Sequence, residues 1–278
     1  MNLAVMIGAA KAGTTSLHRL LTSHPEICFA AEKEPDFFSK DEIYARGIDY
    51  YCGLFDPLPH HRIAFDGSTT YARLPMFDKP ASRIAKVFPD ARIIYVLREP
   101  VARTWSHYLH RKRWSGSVQT FEAMCQDDES VQYASNYAAH LTHYQEHFSP
   151  EQILCVFYEE LVAKTEATVS TIVDHLGLEP GNLDASSLPR NNRGHDNEIR
   201  AQTTMRFRRL PGMQMIVDRL PLRVRDAAFG IIRSALPKRV PPPEKIPPGM
   251  EESLRETYRG PNEQLQMILN RELPENWN

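Results

Sequence analysis

The 278 residues carry 33 Lys and Arg against 35 Asp and Glu, a formal charge of −2, and 42% are hydrophobic. That balance excludes a global basic field, and with it nucleic acid as the main partner, while the apolar share suffices for the core of one large α/β domain. Four scattered cysteines (Cys28, Cys52, Cys125 and Cys155) with no C-x-x-C pair point to reduced thiols in a cytoplasmic protein, and no apolar run reaches the ~20 residues of a membrane helix.

In chain order, residues 3–7 are a short apolar run ending at Gly8, which reads as a buried strand feeding a tight loop. Those apolar residues run straight into the loop, so no signal peptide is expected. Residues 14–21 place Leu17, Leu20 and Leu21 at helical spacing, with Thr14 or Thr15 as the expected N-cap. The following HPEICFAAEKEPDFFSKDE, with two prolines, reads as loop. Residues 62–66 form a strand, 80–88 a helix, and 91–97 an almost wholly apolar strand of the parallel-sheet kind. Pro100 then opens a helix running to about residue 114. Residues 152–157 repeat the strand signal, and a helix over 165–176 stops at Gly177.

This alternation predicts an α/β fold: a doubly wound, mainly parallel sheet flanked by helices. Residues 190–239 hold twelve Lys and Arg against four Asp and Glu, read either as a solvated helical face or as a surface for anionic ligands. A proline-rich spacer, VPPPEKIPPG, precedes a last helix from about 250 to 269. One domain is expected over 1–278, with a helical basic elaboration at 190–245 and a C-terminal helix and tail at 250–278.

The stretch GAAKAGTT, residues 8–15, has nearly the spacing of a nucleoside-triphosphate P-loop, but its lysine is displaced. A P-loop has Lys directly after the second glycine, where it reaches the β- and γ-phosphates. Here Thr14 holds that position and Lys11 lies inside the loop. An ammonium there would lie nearer the ribose-linked phosphate. It would serve a donor whose reactive group hangs from that phosphate, meeting charge that develops as the group leaves.

KAGTTSL resembles the 5′-phosphosulfate loop of sulfotransferases that use 3′-phosphoadenosine 5′-phosphosulfate (PAPS), the P-loop-like enzymes that leave 3′,5′-adenosine bisphosphate as product. The resemblance implies that Lys11, Ala12, Gly13, Thr14, Thr15 and Ser16 hold the 5′ end of the co-substrate, and that no metal is needed. RIIYVLREPVARTWSHY, residues 92–108, is similar to the 3′-phosphate site of the same family and implies Arg98 and Ser106 as its holders. A guanidinium can fork onto a phosphate dianion, and a serine two turns on adds a donor. The tail YRGPNEQLQMILNRELPENW resembles the ending of bacterial and heparan-sulfate-type members. LPRNNRGHDN falls where the family has a late loop over the nucleotide, which implies Arg193 and Gly194 as contacts.

Sulfuryl transfer to an alcohol also needs a proton acceptor near the attacking oxygen. EKEPDFF, residues 32–38, matches the heparan-sulfate-type base segment Glu-Pro-His-Phe-Phe apart from Asp36, which implies Glu34 as the base. Glu32 and Asp36 are its neighbouring carboxylates, and Phe37 and Phe38 are expected to desolvate it partly. His107 and His110 are expected at the surface or behind the site. DGSTTYA, residues 66–72, has Gly67 where heparan-sulfate-type enzymes carry a lysine, so Lys11 acts alone or another cation assists. Ser68 and Tyr71 are expected to line the acceptor pocket. The acceptor itself is a small-molecule, glycan or lipid hydroxyl. The rival readings are a P-loop metabolite kinase, which would need Lys at position 14 and magnesium, and a non-catalytic nucleotide-binding relative.

Overall fold

Five strands form the sheet of the computed structural model, which describes residues 2–115, 119–179, 183 and 245–277. They are β1 (Asn2–Gly8), β2 (Ile27–Phe29), β3 (Ile63–Asp66), β4 (Arg92–Leu97) and β5 (Ile153–Phe157). Every pairing is parallel, in the order β2-β3-β1-β4-β5. Val5 lies opposite both Asp66 and Ile93, and Ile94 lies opposite Leu154. Residues 3–8 of β1 and 93–97 of β4 are all buried. Successive side chains point to opposite faces, so unbroken burial means both faces are covered, as continuous apolar runs require. The chain winds to one side of β1 through β2 and β3, then crosses over to β4 and β5. This is the doubly wound arrangement expected from the alternation of strands and helices.

The helices are α1 (Thr14–Leu21), α2 (Asp41–Tyr44), α3 (Ile48–Cys52), α4 (Pro80–Val87) and α5 (Pro100–Ser115). They continue with α6 (Phe121–Asp127), α7 (Glu129–Tyr133), α8 (Tyr137–Gln145), α9 (Tyr158–Ala163), α10 (Thr165–His175) and α11 (Pro248–Leu269). Leu17, Leu20 and Leu21 are each no more than 1% exposed, so the spacing read in the sequence is the buried face of α1. Two local expectations need correction. The stretch read wholly as loop contains β2, whose three residues are too few for a periodic signal. Neither Thr14 nor Thr15 caps α1: the N-cap is Gly13, in the left-handed region at φ 88°, with no side-chain cap bond.

The described residues of Met1–Tyr108, Thr120–Leu188 and Pro247–Asn278 belong to one compact unit, which holds the whole sheet; those of Leu109–Gln119 and Pro189–Ile246 belong to a second. The basic 190–239 segment, with Arg193 and Gly194, lies outside the described residues. The C-terminal tail closes on the first unit. The Trp277 ring packs against Phe157 and Tyr137, with centroids 5.3 and 5.7 Å apart, and the Tyr258 and Thr104 hydroxyls meet at 2.8 Å.

Candidate active site

Because all five strands run the same way, the segments that follow them leave the sheet at one edge. Those segments are 9–13 after β1, 30–38 after β2, 67–70 after β3, Arg98 after β4 and Tyr158 after β5. The carboxyl edge of an open parallel sheet is where ligands bind.

The glycine loop is shaped by its neighbours. A Cβ on Gly13 would sit 2.6 Å from Cδ2 of Tyr158, so the ring and the positive φ both demand glycine. Lys11 is also left-handed, at φ 73°, and half-buried. Ala12 and Thr14 are buried, Ser16 is half-buried and Thr15 is exposed. Two arginines of the β4–α5 segment grip the carbonyls of this loop. Arg98 donates from Nη1 to the Lys11 carbonyl at 2.9 Å, with its guanidinium 5.0 Å from the Tyr158 ring centroid. The fully buried Arg103 donates to the Ala10 carbonyl at 3.4 Å and also bonds the Ser135 hydroxyl and the Val131 carbonyl. With the N-cap bringing no side chain, the first N–H groups of α1 are oriented for an anion. Glu99 caps α5 instead, accepting from the Val101 and Ala102 amides at 2.9 and 2.6 Å. Burial pushes its carboxyl up, and those amides oppose the shift.

The second half of the site is the loop after β2. Glu34 and Asp36 are both left-handed, at φ 60° and 54°, on either side of Pro35. One Glu34 oxygen accepts from Lys33 Nζ at 3.1 Å and the other from Thr69 Oγ1 at 3.3 Å. Lys33 Nζ also reaches Thr15 Oγ1 at 3.0 Å, so it joins this loop to the first turn of α1. Asp36 is committed elsewhere, to Thr70 Oγ1 at 2.7 Å and Lys40 Nζ at 2.6 Å, and Glu32 is exposed. Of the three carboxylates, Glu34 is the one that is both tethered near α1 and partly open.

What holds the loop down is Asp66, fully buried at the end of β3. Its oxygens accept from the Ser68 hydroxyl at 2.7 Å, from Tyr71 at 2.8 Å and from Tyr51 at 3.2 Å. Ser68 in turn accepts from the Asp36 amide and Tyr71 from the Phe38 amide, at 3.1 and 3.3 Å. Burial raises the Asp66 carboxyl to about 6, against the pull of these three hydroxyls. Ser68 and Tyr71 are 0% and 2% exposed, so they are struts between β3 and the loop rather than pocket lining. Phe37 and Phe38 are likewise core residues, with ring centroids 4.7 and 4.9 Å from Tyr51.

The comparisons with known proteins fit this geometry. A sulfotransferase-family model matches residues 54–181. Human heparan sulfate glucosamine 3-O-sulfotransferase 3B1 is 30% identical over 189 residues, covering 63% of this chain and 46% of that protein. Over these residues the chain is similar to sulfotransferases. The bovine bifunctional heparan sulfate N-deacetylase/N-sulfotransferase 2 is 29% identical over 199 residues, covering 63% of this chain and 22% of that protein. The chain thus spans about half or less of the length of these curated relatives. The crystal structure of a sulfotransferase from Alicyclobacillus acidocaldarius shares the sulfotransferase fold, with a TM-score of 0.71 at 22% identity over 100% of this chain and 98% of that one.

The structure brings together most of the residues singled out from sequence. Lys11 to Ser16, Arg98 and Glu34 converge on the carboxyl edge, and Ser106 lies half-buried on α5, two turns beyond Arg98. His107 is 9% exposed and packs against Arg103, with 3.4 Å between its Nδ1 and the guanidinium Nη1. Among the described residues no cluster of His, Cys, Asp and Glu could hold a metal ion, and no helix is long and apolar enough to cross a membrane. Sequence reasoning passed over Lys33, Arg103, Asp66 and Tyr158. Lys33 was readable as a charge beside Glu34. Its reach to Thr15, like the contact of Tyr158 with Gly13, depends on strands distant in sequence and left no local signal.

Proposed function

We infer that this chain transfers a sulfuryl group from 3′-phosphoadenosine 5′-phosphosulfate to an acceptor hydroxyl, with Glu34 as general base. The observation that carries this reading is the 2.9 Å bond from Arg98 to the Lys11 carbonyl. Two motifs separated by 87 positions, read as holders of opposite ends of one nucleotide, meet at one edge of the sheet. The similarity to sulfotransferases supports the chemistry, and the residues fit the donor. Lys11 and the open end of α1 would hold the 5′-phosphosulfate, while Arg98 and Ser106 would hold the 3′-phosphate. The donor supplies an activated sulfuryl group. Lys11 would stabilise the phosphate oxygen left behind, and Glu34 would take the acceptor's proton.

Among small-molecule, glycan and lipid hydroxyls, the names of the relatives, heparan sulfate glucosamine 3-O-sulfotransferases, favour a sugar hydroxyl. All four cysteines are free, which supports the reducing, cytoplasmic setting expected from the sequence. Thr14, where a kinase would need lysine, counts against a metabolite kinase. Incubation with radiolabelled PAPS and glycan and small-molecule libraries, without added metal, tests the reading. Label should appear in an acceptor; stabilisation by ATP with magnesium and none by 3′,5′-adenosine bisphosphate would replace it with the kinase reading.

A further inference from the structure

Lys33 occupies a position that the fold does not explain. Its Nζ lies 3.0 Å from Thr15 Oγ1 and 3.1 Å from Glu34 Oε1, so one ammonium spans the anion-binding end of α1 and the candidate base. The Lys33 and Glu34 side chains are 38% and 33% exposed, and a pair so open to water contributes little to stability. Nor does the loop rely on it for shape. The buried Asp66 carboxylate, acting through Ser68 and Tyr71, already fixes the Asp36 and Phe38 amides.

The neighbouring segment brings no cation to the same place. Gly67 has no side chain, and a Cβ on it would lie 3.2 Å from Met6 Cε and 3.3 Å from His18 Cδ2, so those two side chains would have to give by a few tenths of an ångström. His18 fills that space, half-buried, with its ring 4.7 Å from Phe29 and 6.2 Å from Phe65. Burial, followed by the charges of Lys33 and Arg19, holds its imidazole below the ordinary value, so it stays neutral at neutral pH. On this side of the loop, Lys33 is the charge that faces Glu34.

The geometry points to Lys33 as a catalytic cation that contacts the transferring sulfuryl group; this rests on the sulfotransferase reading given above. In the step, the acceptor oxygen bonds to sulfur as the bond from sulfur to the donor's 5′-phosphate oxygen breaks. The electron pair stays on that phosphate oxygen, and the acceptor's proton passes to Glu34. Lys11 serves the departing oxygen from inside the loop. Lys33, between α1 and the base, serves the non-bridging sulfuryl oxygens.

An acceptor-free measurement tests this. PAPS carries the sulfuryl group and 3′,5′-adenosine bisphosphate lacks it, so their affinity ratio isolates contacts to that group. By calorimetry, Lys33→Met should weaken PAPS by roughly tenfold, the loss of one charge-assisted hydrogen bond. Affinity for the bisphosphate should stay within about twofold of wild type, and Lys33→Arg should recover most of the PAPS loss. A Lys33→Met protein with the wild-type ratio of the two affinities would overturn the role of Lys33 while leaving the sulfotransferase reading intact. A wild-type protein that does not prefer the bisphosphate over 5′-AMP would overturn the sulfotransferase reading, and the role of Lys33 with it.

Discussion

In the proposed transfer, Glu34 is the residue that takes the acceptor's proton. Its two oxygens are held by Lys33 and Thr69, and its left-handed backbone presents it beside α1. Glu34→Gln keeps size and polarity but removes basicity. Once an acceptor is in hand, kcat should fall by about 10²–10⁴-fold, the usual contribution of a general base. The acidic limb of the pH–rate profile should flatten, and calorimetric affinity for 3′,5′-adenosine bisphosphate should not change. An active variant with its acidic limb intact would move the role to another residue.

A second residue-scale effect concerns stability. His140 is buried on α8, with Nδ1 2.6 Å from the Asn136 carbonyl and Nε2 3.2 Å from the Leu74 amide. The amide can only donate, so Nε2 accepts and the proton sits on Nδ1. Burial lowers the imidazole to about 4. The folded pKa is below the unfolded one, so the unfolded chain binds more protons between about 4 and 6.5, and stability is lost as pH falls through that window. Asp66, raised to about 6, acts in the opposite sense: its ionisation removes stability as pH rises from about 4 to 6. The two partly cancel in the wild type, so a variant is needed to separate them. In urea unfolding, the destabilisation of His140→Gln should be smaller at pH 5 than at pH 8 by about 2 kcal/mol. A pH-independent difference would contradict the assignment.

At the scale of elements, the loop between β1 and α1 is defined by what packs on it. Gly13 lies in the tight loop read from the sequence, and its neighbours enforce the shape. The Tyr158 ring occupies the space of a Cβ, and φ is 88°. Gly13→Ala should cost about 1–3 kcal/mol in unfolding free energy, as non-glycine left-handed residues do. It should also abolish thermal stabilisation by 3′,5′-adenosine bisphosphate. A variant that kept full nucleotide stabilisation would mean that the loop tolerates a different shape when bound. The loop carrying Glu34 obeys the same logic, since Asp66, through Ser68 and Tyr71, holds its Asp36 and Phe38 amides.

These two loops also mark what was legible in the sequence. Gly8, Lys11 and Gly13 lie in one strand–loop–helix unit, and Arg98-Glu-Pro opens another, so both could be read from local spacing. The helix boundaries of α1 and α4 followed from apolar periodicity and from Pro80. The N-cap of α1, the burial of Ser68 and Tyr71, and the reach of Lys33 to Thr15 could not be read in this way. Each depends on a contact between segments that meet only when the parallel sheet assembles, and local pattern carries no trace of such a contact.

For the whole molecule, parallel winding is what turns scattered motifs into a site. Strand order β2-β3-β1-β4-β5 sets the segments carrying Glu34, Thr69, Lys11 and Arg98 side by side along one edge, in the order of their strands. The central claim is that a single nucleotide bearing a 3′-phosphate spans the segments after β1 and β4. Calorimetry of 3′,5′-adenosine bisphosphate and 5′-AMP with wild type and Arg98→Ala tests it most directly. The wild type should prefer the bisphosphate by about 2–5 kcal/mol, at least roughly thirtyfold in Kd, and Arg98→Ala should lose most of that preference while still binding 5′-AMP. Equal wild-type affinity for the two nucleotides would contradict the account.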